Sequence, residues 1–190
     1  MLEGIFKNTV LRMIVALATI GIISGVCLVF VYNYATPKIK INIEKETESA
    51  IKEIFPDSGK IEKTKEKGIF KISDKNGKMI GYAFTAEGNG YQGLIKVIVG
   101  VDPEITKMQG MQVLESQETP GLGAEIASTQ FRQQFVGLDI THPVEYVRNK
   151  KPQQPYQIEA ITGATISSRS VVNLLNKRIE EVRKILKAGK

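Results

Sequence analysis

The feature that most constrains this chain is a run of twenty residues without a charge, from Met13 to Tyr32. An α-helix rises about 1.5 Å per residue, so this run spans about 30 Å, the thickness of a bilayer's hydrocarbon core. A cleaved signal peptide is the alternative, but its apolar core is shorter, roughly 7–15 residues, and ends at a small-residue cleavage site. The run therefore predicts a membrane anchor in residues 1–35 and a folded domain in residues 36–190.

The orientation of this anchor is left open by its flanking charges. Lys7 and Arg12 precede the run, and Lys38, Lys40 and Lys45 follow it. Positive residues favour the cytoplasmic side of a membrane, so the count leans slightly against placing the following domain outside.

Composition excludes several classes of site. One cysteine, Cys27, and one histidine in 190 residues exclude a disulfide within the chain, a cysteine-ligated iron–sulfur cluster and a zinc site built from Cys and His. The net charge of +6 is scattered, so no nucleic-acid partner is predicted. Hydrolase, phosphate-loop and metalloprotease patterns do not occur, and we predict no metal ligand and no catalytic side chain.

The rest of the chain predicts an α+β domain, an antiparallel sheet with flanking helices that follows the single membrane helix. Residues 36–46 are polar and predict a stalk, and Thr47 is expected to cap a short helix that ends at Pro56. Apolar patterning predicts strands at 68–74, 79–87, 93–102 and 105–116, a helix over 124–136, and strands at 144–147 and 156–161.

A last helix is predicted from apolar residues that recur every three or four positions. These residues are Val172, Leu175, Ile179, Val182 and Leu186.

A tight turn of small residues precedes this helix and reads Thr162-Gly163-Ala164-Thr165. Free backbone N–H groups and the helix dipole suit such a helix start to a phosphate, and Thr165 offers a hydroxyl that can be esterified. The alternative is a capping turn without a ligand.

Two other loops are candidates for ligand contact. Glu118-Thr119-Pro120-Gly121-Leu122-Gly123 forms a turn whose N–H groups can converge on an anionic or carbonyl group. The loop of residues 88–93 presents Tyr91, which can stack on a flat ring. For each loop the alternative is a simple connection.

Taken in order, four motifs resemble the FMN-binding family, and within it the G subunits of Rnf electron-transport complexes. They are G-Y-x-G-x-I-K-V-x-V-G-x-D from Gly90, E-T-P-G-L-G at 118–123, x-F-x-x-Q-F-x-G at 131–137 and T-G-A-T-I-S-S at 162–168. The C subunits of sodium-pumping quinone reductases are related to the same family.

This resemblance implies a cofactor and its contacts. It implies FMN bound covalently by a phosphoester to Thr165, with Thr162, Gly163 and Ala164 completing the motif. It also implies that the flavin site is lined by Glu118, Thr119, Gly121, Leu122 and Gly123.

The resemblance further implies an electron-transfer subunit of an ion-translocating ferredoxin:NAD⁺ oxidoreductase that is inactive alone. Its partners are then the other Rnf subunits, a flavin transferase that loads FMN, and membrane lipid. The chain is expected to cross the inner cell membrane once, with its C-terminal domain on the extracytoplasmic side. The competing hypothesis is a non-redox, membrane-anchored binding or assembly module.

Overall fold

The structure, a computed structural model, describes residues 9–188. Contacts divide the chain into one unit that ends at Lys45 and a second that begins at Glu46.

The first element is one continuous helix of 46 residues, α1 (Thr9–Ile54). The predicted helix start at Thr47 is therefore wrong, and the segment predicted as a polar stalk, 36–46, is helical. Pro37 lies inside the helix, where it lacks the N–H that would bond the carbonyl of Asn33, but its fixed φ is compatible with helical backbone. Helix-forming Lys, Glu and Ala residues continue the helix beyond it.

The apolar run lies within α1, which alone among the described residues is long and apolar enough to cross a membrane. Its large apolar side chains are exposed, as contact with lipid requires. Two hydroxyls in this helix are satisfied internally, because Thr19 donates to the Val15 carbonyl and Thr36 to the Tyr32 carbonyl, both at 2.7 Å. These features fit the predicted span.

The second unit is built on a five-stranded antiparallel sheet in which neighbours in sequence are neighbours in space. The predicted meander and the predicted α+β class are thus confirmed. The strands are β1 (Ser58–Lys63), β2 (Ile69–Asp74), β3 (Met79–Asn89), β4 (Leu94–Val101) and β5 (Met108–Ser116).

Only β1 was not predicted among these strands, because its sequence SGKIEK lacks apolar alternation. It is an edge strand, where charged side chains protect the free backbone edge. One ion pair joins Lys60 Nζ to Glu62 at 2.6 Å.

Each face of the sheet is covered by a helix. The end of α1 places Ile51 and Phe55 against one face, where they meet Ile72, Ala83 and Ile98. A side chain at Gly100 of β4 would collide with Ile54 and Phe55 there, so the helix and sheet approach closely. The long C-terminal helix α3 (Thr165–Ala188) covers the other face and confirms the predicted amphipathic helix.

The segment between β5 and α3 contains only short elements. The predicted helix over 124–136 is a 3₁₀ turn (Gly123–Ala127) and a short helix, α2 (Thr129–Gln133), separated at Ser128. Ser128 has extended backbone, and its hydroxyl caps α2 by accepting from the Phe131 N–H at 3.3 Å. Strands β6 (Glu145–Val147) and β7 (Gln157–Glu159) form a separate parallel pair, and β7 leads directly into the turn before α3.

We expect a chain that begins at Glu46 to remain folded, and a chain that begins at Pro56 to lose its stability. The second truncation removes Ile51 and Phe55 from the core, and truncating Ile51 to Ala alone should lower the free energy of unfolding by about 2–5 kcal/mol. Thermal unfolding followed by circular dichroism measures both. Equal melting of the two truncated chains would contradict this account of the core.

Candidate functional site

A cleft of about 430 Å³ opens between the loop after β5 and the start of α3. This volume lies within the range of about 300–1,000 Å³ that small-molecule sites occupy. The cleft is lined by Tyr91, Glu118, Thr119, Leu122, Gly123, Gly163, Ala164, Thr165, Ile166 and Ser167.

The carboxylate of Glu118 is central to the lining of the cleft, and Glu118 is only 6% exposed. Its Oε1 accepts hydrogen bonds from the backbone N–H groups of Tyr91 at 2.8 Å and Gln92 at 3.0 Å. Its Oε2 accepts a hydrogen bond of 2.5 Å from the hydroxyl of Ser167 in the first turn of α3. One carboxylate therefore joins the 88–93 loop, the 118–123 loop and the helix start.

These contacts keep Glu118 ionised. Burial raises the pKa of Glu118, but the hydrogen bonds from Ser167 and from the N–H groups of Gln92, Tyr91 and Gly93 outweigh it and hold the pKa below its ordinary value. A buried carboxylate with several donors is stable as an anion.

Two glycines allow the segments to approach this carboxylate closely. A Cβ at Gly123 would collide with Glu118 and lie 2.8 Å from the Ser167 hydroxyl, and a Cβ at Gly90 would collide with Glu118 from the other side. Gly121 has a φ of +72°, which favours glycine, and makes a tight turn within the 118–123 loop. Gly90 and Gly123 thus serve close packing around Glu118, and Gly121 serves the turn.

The turn before α3 exposes backbone donors. Gly163 has a φ of +82°, and the first N–H bonded within the helix is that of Ser168, 3.0 Å from the Ala164 carbonyl. The N–H groups of Thr165, Ile166 and Ser167 precede that bond and have no partner inside the helix. These three residues line the cleft, and the positive end of the helix dipole lies at the same helix start, so this end of the cleft suits an anion.

The four hydroxyls near this turn have different environments. The Ser167 hydroxyl is bound to Glu118, and the Ser168 hydroxyl, fully buried, donates to the Ala164 carbonyl at 3.1 Å. The Thr162 hydroxyl is exposed and lies 3.5 Å from the carboxamide oxygen of Asn149. Thr165 is half-buried and lines the cleft, and within residues 9–188 its hydroxyl forms no hydrogen bond.

The strand that leads to this turn is held by an amide side chain that the sequence did not single out. Gln134 donates to the carbonyl of Glu159 at 3.2 Å and accepts from the N–H of Glu159 at 2.6 Å, as a neighbouring strand would. Only its place in the F-x-x-Q-F motif signalled a role. Gln134 therefore fixes the end of β7 just ahead of the turn.

Most of the residues predicted from sequence to form the site meet in this one cleft. Glu118, Thr119, Leu122, Gly123, Gly163, Ala164 and Thr165 line it, whereas Gly121 and Thr162 support its loops without lining it. Tyr91, predicted as a ring-stacking candidate, lines the cleft and is 68% exposed. Ile166 and Ser167 also line it and were not predicted as contacts.

The residues that line the cleft fit a ligand that consists of a flat ring and a phosphate. The exposed apolar surfaces of Tyr91, Leu122 and Ile166 suit the faces of a ring, and the helix start suits the phosphate. Within the described residues, no group of three His, Cys, Asp or Glu side chains could hold a metal ion.

Comparison with known proteins identifies relatives over nearly the whole chain. A family model described as the FMN-binding domain matches residues 90–180. The chain is 28% identical to the G subunit of the ion-translocating oxidoreductase complex of Methanosarcina acetivorans, over 93% of this chain and 96% of that protein. It is 29% identical to the G subunit of the proton-translocating ferredoxin:NAD(+) oxidoreductase complex of Clostridium ljungdahlii, over 93% of both. It is 30% identical to the G subunit of the ion-translocating oxidoreductase complex of Vibrio vulnificus, over 96% of this chain and 91% of that protein.

Solved structures share the fold. The NqrC protein of Shewanella oneidensis matches with a TM-score of 0.54 and 24% identity, over 57% of this chain and 52% of that chain. The C subunit of the Na(+)-translocating NADH-quinone reductase from Parabacteroides distasonis matches with a TM-score of 0.51 and 28% identity, over 57% of both chains. The matched region thus covers somewhat more than half of this chain and of each solved structure.

Replacement of Glu118 by Gln tests the charge at the centre of the cleft. The pKa of Glu118 is lower in the folded protein, so its ionised form stabilises the fold above the unfolded pKa, about 4.3, and this contribution is lost as the pH falls through the folded pKa. We expect Glu118→Gln to lower the free energy of unfolding by about 1–3 kcal/mol at pH 7. The difference from the wild type should shrink below about pH 4.

Denaturant unfolding at several pH values measures this difference. The exposed Glu125→Gln in the same region is the control for loss of one negative charge. A Glu118→Gln difference that does not change with pH, or that Glu125→Gln reproduces, would contradict the assignment.

Proposed function

Because the chain belongs to the family of G subunits of ion-translocating oxidoreductase complexes, we propose that it is a membrane-anchored electron-transfer subunit with FMN esterified to Thr165. Within a ferredoxin:NAD⁺ oxidoreductase complex of the Rnf type, it passes electrons between other subunits and has no activity alone. The FMN-binding domain match and the G-subunit relatives support this function.

The observation that carries the proposal is the state of the Thr165 hydroxyl. This hydroxyl lies at a helix start with free N–H groups, inside a cleft large enough for a flavin. Among the described residues, the Thr165 hydroxyl forms no hydrogen bond. Ser167 and Ser168 are buried and committed to other partners. This difference supports esterification at Thr165 and not at its neighbours.

The residues of the cleft have separate tasks. The N–H groups at the start of α3 hold the phosphate, and Glu118 keeps the two loops and the helix in fixed relative positions. The exposed apolar surfaces of Tyr91, Leu122 and Ile166 would contact the flavin ring. When bound, FMN supplies the reversible electron transfer that the side chains of this chain cannot provide.

Loading of FMN requires a second protein in this proposal. A flavin transferase that uses FAD would break the phosphoanhydride bond of FAD, join the FMN phosphorus to the Thr165 oxygen, and release AMP and the hydroxyl proton. The half-buried, unbonded hydroxyl of Thr165 is open to such a reaction. Covalent attachment retains the flavin in a compartment where free flavin is scarce.

The proposed location is the inner cell membrane, with lipid around the apolar part of α1 and the second unit on the extracytoplasmic side. The exposed apolar side chains of the first unit support the membrane contact. The orientation rests on the family resemblance and runs against the slight excess of lysines after the apolar run.

The non-redox assembly module is the weaker hypothesis. It accounts for the anchor, but it assigns no task to a cleft that joins a free hydroxyl, unpaired N–H groups and exposed apolar surface. A role in a quinone reductase is weaker too, because the G-subunit relatives match nearly the whole chain and the solved C-subunit neighbours only part of it.

Replacement of Thr165 by Val tests the attachment residue. Valine keeps the size and β-branching of threonine and removes the one oxygen that a phosphoester needs. We expect covalent FMN to vanish while the fold is retained, because that hydroxyl makes no hydrogen bond within the described residues. Each protein is coexpressed with a flavin transferase, and its intact mass shows whether FMN is bound covalently. Peptide mapping of the wild type identifies the residue that carries FMN.

Thr162→Val is the matched control, since it removes a hydroxyl from the same turn and should leave some covalent flavin. FMN on the Thr165 variant, or on Thr162, Ser167 or Ser168 of the wild type, would refute the assignment.

The proposed orientation is tested with a cysteine placed in the exposed β2–β3 turn. In a Cys27→Ala background, Asn76→Cys provides a single thiol on the second unit. We expect a membrane-impermeant maleimide to label it in intact cells whose outer envelope has been opened. Labelling that requires lysis of the inner membrane would place the domain in the cytoplasm.

A further inference from the structure

The turn that precedes Thr165 is closed by the hydroxyl of Ser168. This hydroxyl accepts a hydrogen bond from the Ile161 N–H at 3.0 Å and donates one to the Ala164 carbonyl at 3.1 Å. The Ala164 N–H donates to the Ile161 carbonyl at 3.0 Å. The two ends of the turn at residues 161–164 are therefore joined twice, once by the backbone and once through the Ser168 side chain.

The Ser168 hydroxyl is the partner that the Ile161 N–H depends on. Ser168 is fully buried and Ile161 is half-buried, so little water is available to replace the hydroxyl. The Ala164 carbonyl also accepts from the Ser168 N–H at 3.0 Å and keeps that bond without the side chain. Since a buried backbone donor without a partner is unfavourable, loss of the hydroxyl should open the turn at its Ile161 end.

The strand that enters this turn is held from a different element. The Gln134 side chain, at the end of α2, exchanges two hydrogen bonds with the backbone of Glu159, at 2.6 and 3.2 Å. Residues 159–164 are thus fixed at one end by Gln134 and at the other by Ser168. Neither of these two residues lines the cleft.

The backbone of this segment sets the position of the Thr165 hydroxyl, because within residues 9–188 no hydrogen bond of its own does so. In the proposed transfer, the Thr165 oxygen bonds to the FMN phosphorus of FAD, the phosphoanhydride bond breaks, and AMP and the hydroxyl proton leave. Phosphoryl transfer needs the attacking and leaving oxygens roughly in line. A small displacement of the attacking atom therefore lowers the rate strongly.

We propose that Ser168 and Gln134 are positioning residues for the attachment of FMN to Thr165. They hold residues 159–164 in the conformation that presents the Thr165 hydroxyl to the flavin transferase. The inference rests on the proposed function and adds two residues that act on the attachment step through the backbone. Because Ser168 is buried and Gln134 half-buried, their removal should change the rate of transfer and not the binding of the transferase.

The test measures attachment to the full-length chain in detergent, with a flavin transferase and FAD. Flavin fluorescence of the denatured chain, followed over time at several chain concentrations, gives kcat and the KM for the chain. We expect Ser168→Ala to lower kcat about tenfold and to change KM less than about twofold. Gln134→Leu, which removes both hydrogen bonds to Glu159, should act in the same direction.

Ile179→Val is the matched control, because it removes one carbon atom from the buried face of the same helix, away from the turn. It should lower the Tm and leave kcat unchanged. All chains are compared at a temperature at which circular dichroism shows them folded, and Gln134→Leu alone decides if Ser168→Ala does not fold. An unchanged kcat in either folded variant, a loss in KM alone, or an equal loss in Ile179→Val would overturn the proposal.

Hydrogen exchange of the flavin-free chains tests the positioning directly. We expect the backbone N–H groups of residues 159–165 to exchange faster in Ser168→Ala and Gln134→Leu than in Ile179→Val. Equal exchange in the three variants would overturn the proposal. A wild-type chain that takes no covalent FMN refutes the proposed function, whereas variants loaded as fast as the wild type refute only the positioning.

Discussion

The hydrogen bonds to the Glu118 carboxylate are the interaction on which the rest of the site depends. The buried carboxylate accepts hydrogen bonds from two backbone N–H groups of the 88–93 loop and from one hydroxyl of α3. Residues larger than glycine at positions 90 and 123 would collide with it. Through this carboxylate the sheet edge is linked to the helix start. The arrangement also binds the Ser167 hydroxyl, which leaves Thr165 as the open hydroxyl at the helix start.

The site contains a negative charge and a positive dipole end close to each other. The anion of Glu118 lies on one side of the helix start, and the positive helix dipole lies at its end. A phosphate at Thr165 is then attracted by the helix start, while the carboxylate remains satisfied by its own donors and does not compete for the helix N–H groups.

The sequence predicted the sheet, the C-terminal helix and the residues of the cleft, because apolar periodicity and glycine-rich turns are local signals. It failed where structure depends on distant partners. The helix start predicted at Thr47 also failed, for a local reason, because the fixed φ of Pro37 is compatible with a helix and α1 continues through it. Strand β1 carries no apolar pattern and is defined by its pairing with β2. Gln134 acts between separate elements, which spacing alone does not reveal.

The most direct test of the central claim is the amount of flavin that stays with the full-length chain after denaturation. The chain is produced with the other subunits of its complex, unfolded in denaturant and passed over a size-exclusion column, and the flavin absorbance of the protein fraction is measured. A phosphoester at a single threonine predicts one flavin per chain in that fraction. Elution of all flavin as the free cofactor would contradict the account.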